Sequence, residues 1–277
     1  MAKKKILYIT PEVFPYMPES YISNLCRYLP QGIQERENEI RTFMPKFGCI
    51  NERRNQLHEV IRLSGQNIIV DNSDNPLIIK VASLQVVRLQ VYFIDSEDYF
   101  KRKQVYRDTD GNFFADNDER MIFFAKGVIE TVRKLGWAPD IVHCHGWITA
   151  LVPMFIKTCY KDNPLLQDCR IAYSVYNDQF PETFSDRLAK KLVGTGIDEQ
   201  FVGGLEEPTY AALMRKAAEF SDAVVIAHSG ADPAVVEDLK SYPRLKFEHP
   251  MDTIPDIYVE QYDNFYDSLM EKAPITF

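Results

Sequence analysis

Residues 5–45 read KILYITPEVFPYMPESYISNLCRYLPQGIQERENEIRTFMP, and this stretch decides the fold class. The apolar run Lys5–Ile9 meets a proline-rich loop at residues 11–18, which is typical of a buried strand whose carboxyl end opens into a loop. Within residues 21–36, apolar side chains recur at spacings of 3, 4 and 4, which predicts a helix. Residues 40–44 form a second short apolar run before a proline. The order strand, helix, strand predicts a βαβ unit of a parallel sheet.

The same alternation continues along the chain. Short apolar runs predict further strands at residues 141–145, 170–175 and 223–227, and periodic segments predict helices at 120–134, 149–160 and 210–220. This pattern predicts an α/β fold, a doubly wound, Rossmann-like parallel sheet with helices on both faces. Four β-rich runs follow the second strand, at residues 59–63, 68–70, 77–84 and 86–93. Turn residues separate them, such as Gly65 and the Asn-Ser-Asp-Asn sequence at 72–75. They predict β-hairpins inserted at the side of the sheet.

Composition excludes several classes of function. The chain has 277 residues and a formal net charge of -8, which argues against a nucleic-acid partner because phosphate binding requires a basic surface. The three lysines at residues 3–5 are interpreted as a solvated terminus. No run of 18 apolar residues occurs, and no signal-peptide pattern follows the lysines, so neither a membrane span nor secretion is expected. Five cysteines without CxxC spacing are typical of reduced thiols, which predicts a cytoplasmic location.

Four segments carry a resemblance to a known family. Residues 6–15 (ILYITPEVFP) are similar to the first strand and loop of starch synthase catalytic domains, a glycosyltransferase family that extends α-1,4-glucan with ADP-glucose. Residues 91–106 resemble that family's YFIDHPxFFxRxxLYG segment. Residues 116–124 (DNDERMIFF) resemble DNAERFAFF, and residues 137–147 (WAPDIVHCHGW) resemble WRPDVVHAHDW. The four segments occur in the family's order over residues 5–160.

The resemblance implies a GT-B architecture, in which two Rossmann-like domains face each other across a cleft. The first domain of such an enzyme holds the glucan acceptor, and the second supplies most of the contacts to the sugar nucleotide. Residues 1–250 correspond to the first domain only, so a partner protein would have to supply the second. Residues 251–277 are predicted to form a helical tail, because four apolar residues follow one another at spacings of 4, 3 and 4. This helix either packs onto the domain or docks a partner protein.

The loop after the first strand departs from the family. Related enzymes have Lys-Thr-Gly-Gly where this chain has Pro18, Glu19, Ser20 and Tyr21. Glycines allow the backbone to approach a diphosphate, and lysine offsets the charge of the leaving group. Proline carries no charge, Glu19 adds a negative charge, and Tyr21 places a ring where a bare backbone is expected. The sequence therefore predicts an altered nucleotide loop with poor affinity for ADP.

Four residues match family positions and are candidates for ligand binding: Glu12, His145, Trp147 and Asn177. His145 ends a predicted strand, where α/β clefts form, and it either faces a ligand or belongs to the core. Trp147 either stacks on a sugar or covers the following helix. Asn177 is retained in a segment where the family histidine is replaced by Tyr176. The resemblance implies no cofactor, and no metal site is predicted.

Two carboxylates could suggest a metal site instead. Asp116 and Asp118 lie close together, but the sequence Asp-Asn-Asp-Glu also suits a helix amino terminus, where acids favour the helix dipole. We interpret the pair in this second way. His143, inside the same strand as His145, is interpreted as a hydrogen-bonded core residue.

Three functions remain open. The chain could be a glycosyltransferase subunit that transfers glucose from ADP-glucose to an α-glucan. It could be a non-catalytic module, descended from a synthase, that binds a glucan or a partner protein. It could also have acquired a different small-molecule ligand through the altered loop. No catalytic residue is assigned from the sequence.

Overall fold

A computed structural model describes residues 3–84, 87, 89–250 and 254–277. In these residues, ten strands form one sheet together with a side hairpin; the strands are β1 (Lys5–Ile9), β2 (Glu39–Pro45), β3 (His58–Glu59), β4 (Gln66–Val70), β5 (Ser73–Leu84), β6 (Leu89–Asp95), β7 (Ile141–His145), β8 (Arg170–Val175), β9 (Ala223–Ile226) and β10 (Leu245–Glu248). The α-helices are α1 (Tyr21–Glu35), α2 (Glu97–Phe100), α3 (Asn117–Leu135), α4 (Leu151–Lys157), α5 (Leu188–Gly194), α6 (Tyr210–Glu219), α7 (Pro233–Ser241) and α8 (Pro255–Met270).

The strand order places a topological switch point at the centre of the sheet. Neighbouring strands run β10-β9-β8-β7-β1-β2-β6-β5-β3, and every pair from β10 to β6 is parallel. The chain winds to one side of β1 through β2 and β6, and to the other side through β7 and β8. The doubly wound parallel sheet predicted from the sequence is confirmed. In such sheets a ligand crevice forms outside the carboxyl ends of the two central strands, here β1 and β7.

The inserted hairpins lie at the β6 edge, and two details of their prediction are wrong. β5 pairs antiparallel with β6, β3 and β4. The run at residues 59–63 is mostly a turn, because the strand ends at Glu59 and Ile61 is 83% exposed. Residues 73–75 belong to β5 rather than to a turn, and Asn75 Nδ2 donates to Ile68 O at 3.2 Å. Val86, the predicted start of the next strand, lies outside the described residues.

Helices cover both faces of the sheet, because successive strand residues point to opposite sides. On one face, Tyr8 of β1 and His143 of β7 contact Tyr266 of α8 through hydrogen bonds. On the other face, the Tyr173 hydroxyl of β8 contacts Met214 Sδ of α6 at 3.4 Å. The predicted arrangement of helices on both faces is therefore present.

The tail forms the predicted helix, α8, and this helix packs against α1. Gly32 makes the approach close, because a Cβ atom at that position would lie 2.6 Å from Val259 Cγ2. At the amino end of β1, Lys4 Nζ lies 3.0 Å from Asp263 and 2.5 Å from Asp267, both on α8. These contacts tie α8 to β1 and α1. The division of the chain at residue 250 stays a prediction.

Helix α3 carries the segment that resembles DNAERFAFF, and its residues are structural. It begins after Asp116 and ends at Gly136, whose φ of 60° is left-handed. Asp118 is buried and lies 2.7 Å from Lys191 Nζ, while Asp116 pairs with Arg102. Both carboxylates are thus occupied by cations at the amino end of a helix. Within the described residues, no group of His, Cys, Asp or Glu side chains has the arrangement of a metal site.

Some elements differ from the sequence expectations. The helix predicted at residues 149–160 is shorter, because α4 covers Leu151–Lys157 and one turn of 3₁₀ helix, Trp147–Thr149, precedes it. The sequence patterns do not predict helices α2, α5 and α7 or strand β10. Across the residues that the structure describes, none of the helices combines the length and the apolar character that a membrane span requires.

Candidate functional site

Three loops meet at the carboxyl ends of the central strands. Residues 10–20 follow β1, residues 146–147 follow β7, and residues 176–180 follow β8. We call residues 10–20, 146–147 and 176–180 the crevice loops. They contain Glu12, Glu19 and Asp178, and their sequences contain no lysine or arginine. The site predicted from the sequence therefore carries acidic loops, which disfavour a diphosphate.

Glu12 fixes the start of helix α1 rather than standing free in solvent. The Ser20 hydroxyl donates a hydrogen bond to Glu12 Oε1, and Ser20 Oγ accepts from Ser23 N at 2.9 Å as the helix N-cap. Burial raises the pKa of the Glu12 carboxyl, and the charge of Asp178 raises it further. Glu12 and Ser20 therefore hold the altered loop in one conformation.

Asp178 joins the loop after β8 to the loop after β7 and to helix α6, although the sequence did not single it out. Its Oδ2 accepts from Trp147 N at 3.0 Å, and its Oδ1 accepts from the Tyr210 hydroxyl at 2.8 Å. Gly146 makes room for it, because a Cβ atom there would lie 2.8 Å from Asp178 Oδ2 and the glycine has a φ of 71°. Burial raises the pKa of the Asp178 carboxyl. A glycine at the end of β7 and a carboxylate after β8 were the signals available in the sequence.

His145 lies beneath the crevice floor. Its side chain is fully buried, and Nδ1 lies 2.6 Å from the Tyr176 hydroxyl. Nε2 is buried and has no hydrogen-bond partner among the described residues. Burial lowers the pKa of His145 to about 3, so the imidazole is neutral. Tyr176, which replaces the family histidine, thus forms a hydrogen bond with one ring nitrogen of His145 and covers that nitrogen.

His143 has the role interpreted from the sequence. Its Nδ1 lies 2.7 Å from the Tyr266 hydroxyl, and its Nε2 lies 2.7 Å from Ser174 Oγ. Burial lowers the pKa of His143 well below its ordinary value. Both ring nitrogens are paired within the core, so this histidine supports the sheet and does not reach the crevice.

Tyr21 extends from the first turn of α1 across the ends of β8 and β9. Its hydroxyl donates to Ala227 O at 2.8 Å. Its ring contacts His228 edge-on at 4.6 Å between ring centroids, and Tyr176 edge-on at 6.4 Å. The residue that stands where the family has a glycine therefore fills space beside the crevice and is anchored to the sheet. Tyr176, which this ring contacts, is also a position at which this chain differs from the family.

The remaining candidate residues do not converge on one point. Pro18 and Glu19 are exposed, and Glu19 Oε1 accepts from Asn24 Nδ2 at 3.1 Å. The Trp147 ring is only 5% exposed, because it packs in an aromatic cluster that includes Tyr106 and Phe180. Asn177 is exposed at the rim. Glu12 and the Trp147 backbone lie near Asp178, whereas the Trp147 ring faces the interior.

Comparisons with known proteins agree on one family. The family described as "Starch synthase catalytic domain" matches residues 5–229. The chain belongs to the starch synthase catalytic domain family. It is 38% identical to a protein named glycogen synthase from Chlorobium luteolum over 190 residues, which cover 68% of this chain and 39% of that protein. It is 32% identical to a glycogen synthase from Chlorobaculum parvum over 245 residues, or 88% of this chain and 49% of that protein.

A solved structure confirms the fold of this starch synthase family member. The catalytic domain of starch synthase IV from Arabidopsis thaliana superposes with a TM-score of 0.67 at 21% identity, covering 81% of this chain and 45% of that chain. This likeness shows that the GT-B-type Rossmann-like domain is present. The chain spans less than half the length of these curated relatives. The region shared with the starch synthase family contains the whole crevice described above.

Proposed function

We propose that this chain is the glucan-side domain of a glycogen or starch synthase-type glycosyltransferase, and that alone it transfers glucose from ADP-glucose weakly or not at all. Family membership supports the reaction class. The plant starch synthase IV domain is described as bound to ADP and acarbose, which supports a sugar nucleotide and a glucan as ligand classes. The observation that carries the proposal is Tyr21, whose anchored ring fills the place of a loop glycine.

The crevice chemistry accounts for the weak activity. Departure of ADP places negative charge beside the loop after β1, where a catalyst needs positive charge in a fixed position. The crevice loops offer Glu12, Glu19 and Asp178 there. His145 is a weak base near neutral pH, because burial lowers its pKa to about 3, and its Nδ1 is held by Tyr176. The remaining contacts to the nucleotide would have to come from outside the crevice loops.

The acidic loops also favour a second candidate, a non-catalytic module that binds glucan or a protein partner. A neutral sugar suffers no repulsion from carboxylates, and carboxylates accept hydrogen bonds from sugar hydroxyls. The two candidates predict the same fold and differ in turnover. A direct assay therefore separates them.

Incubation of the pure chain with labelled ADP-glucose and glycogen is expected to leave the polymer without label above background. The reason is the acidic, tyrosine-filled crevice, which lacks the charge that a leaving diphosphate needs. A relative with its full-length sequence, such as the Chlorobaculum parvum glycogen synthase, serves as the positive control. Turnover by the isolated chain at ordinary enzyme rates, about 1–10 per second, would contradict the proposal.

Restoring the family residues at two positions is expected to raise the affinity for ADP. The double variant Pro18→Lys and Tyr21→Gly supplies one charged donor and opens the backbone, so we expect about a tenfold gain in affinity by calorimetry. The matched control is Pro18→Met with Tyr21→Gly, which opens the same space without a charge. Equal ADP binding by the lysine and methionine variants would show that charge at position 18 does not limit binding.

A further inference from the structure

A cavity of about 330 Å³ lies beside the crevice, between α1, α8 and the end of β10. Three tyrosine side chains line it: Tyr21 and Tyr28 from α1, and Tyr258 from α8. Asn24 and His249 contribute polar groups to the same wall. We propose that this cavity, which we call the tyrosine pocket, binds a pyranose ring of a neutral α-1,4-glucan. The inference rests on the proposed function, and it adds which ligand is bound and where on the domain it binds.

The geometry of α1 builds one wall of the tyrosine pocket. Tyr21, Asn24 and Tyr28 lie at positions i, i+3 and i+7 of the helix, so their side chains share one face. Tyr21 and Tyr28 are 36% and 38% exposed, which is unusual for such large rings in this protein. Exposed aromatic rings beside hydrogen-bonding groups suit a ligand with apolar C–H faces and polar edges, which describes a pyranose.

The charges around the tyrosine pocket select a neutral ligand. None of the described residues that line it carries a formal charge at neutral pH. Burial lowers the pKa of His249 to about 4, so this imidazole is uncharged and can hydrogen-bond a hydroxyl. Glu19, beside Asn24, and Asp256, in the first turn of α8, add negative charge nearby. The two carboxylates disfavour a phosphate-bearing ligand, although Arg27 lies 5.8 Å from the centroid of the Tyr28 ring, whereas a glucose unit has no charge to repel.

Tyr21 links the tyrosine pocket to the altered crevice. One residue both fills the space beside Tyr176 and forms a wall of the neighbouring pocket. The replacement of the loop glycine therefore has opposite consequences for two ligands. It removes space from a diphosphate and adds an aromatic surface for a sugar.

Titration of the full chain with maltotetraose is expected to give a dissociation constant of about 0.1–1 mM by calorimetry. Tyr28→Ala is expected to weaken binding about tenfold, because it removes one ring that stacks on the sugar. The matched control is Ile257→Ser, which changes a 39% exposed side chain next to Tyr258 on α8. Maltotetraose should bind this variant as it binds the unchanged chain.

The outcomes are separable from those of the glucose-transfer assay. Tyr21→Gly should weaken maltotetraose binding about tenfold while it does not weaken ADP binding. No maltotetraose binding up to about 10 mM would overturn the tyrosine pocket and leave the assignment of weak glucosyl transfer standing. Equal loss in Tyr28→Ala and Ile257→Ser would also overturn it, since the tyrosine ring would then contribute no more than a neighbouring apolar side chain. The tyrosine pocket would likewise be overturned if the chain transferred label into glycogen and Tyr28→Ala left maltotetraose binding unchanged.

Discussion

Replacing Arg120 by alanine is expected to lower the free energy of unfolding by about 3–5 kcal/mol. The side chain is fully buried, and its guanidinium donates to Tyr99 O at 2.9 Å, Val105 O at 2.6 Å and Asn117 Oδ1 at 2.7 Å. Alanine would leave these acceptors without a donor and would open a cavity. Denaturant unfolding near pH 7.5, followed by circular dichroism, measures the change.

Arg102 provides the matched control for that prediction. Both guanidinium groups lie over the Phe114 ring, at 4.3 Å for Arg102 and 5.6 Å for Arg120. Arg102 instead pairs with Asp116, and both of these side chains are about one-third exposed, at 33% and 31%. Arg102→Ala should therefore cost less than about 1 kcal/mol. Equal losses for the two variants would mean that burial and the three carbonyl-type acceptors are not what makes Arg120 important.

The parallel half of the fold was predictable because its strands are buried on both faces. β1 is apolar from Ile6 to Ile9, and β7 is buried along its whole length although it contains two histidines. The hairpin half was less predictable, because long-range pairing overrides local preference there. Asn75, a turn-forming residue by type, lies in β5 since its side chain bonds to Ile68 O of the neighbouring strand. Ile61, an apolar residue, is solvent-exposed in a turn.

The candidate site could be predicted in its location and not in its contacts. The sequence indicated the loops after β1, β7 and β8, because carboxyl ends of parallel strands share one edge of a sheet. It could not show that Tyr21 reaches Ala227, which is 206 positions away in the chain. It also could not show that Asp178 bonds Trp147 N and Tyr210 at once. Such contacts depend on how distant elements pack, and the ligand roles of Glu12, His145, Trp147 and Asn177 stay predictions.

Arg120 also explains why part of the family resemblance carries no information about activity. In the segment at residues 116–124, Arg120 and the Asp118 contact with Lys191 anchor α3. A chain can keep such a segment while its nucleotide loop diverges. The residues that report on chemistry are those of the crevice loops and the first turn of α1, where this chain has Pro18 and Tyr21. Retained architecture and an altered nucleotide loop are therefore compatible in one domain.

Lowering the pH from about 7.5 to about 5 is expected to destabilise the protein by about 2 kcal/mol for each of two buried histidines, His143 and His145. Burial lowers the pKa of both imidazoles below the ordinary value of 6.5, to about 3 for His145. The folded state keeps them neutral, whereas the unfolded state takes up protons below about pH 6.5. The free energy of unfolding therefore has its full value above about pH 6.5 and decreases as the pH falls below it. Unfolding free energies from urea titrations at several pH values measure the slope.

His145→Gln should remove about half of that acid sensitivity, since glutamine does not titrate and only His143 remains. The matched control is His58→Gln, which makes the same substitution at an exposed histidine. Glu12 and Asp178 act in the opposite direction, because burial raises the pKa of each carboxyl and the folded state binds protons there first. This offset cancels when each variant is compared with the unchanged chain at the same pH. If the His145→Gln and unchanged curves ran parallel down to about pH 5, His145 would have to be solvated in the folded protein. A solvated His145 would mean an open crevice floor, and the occlusion by Tyr176 and Tyr21 would then be wrong.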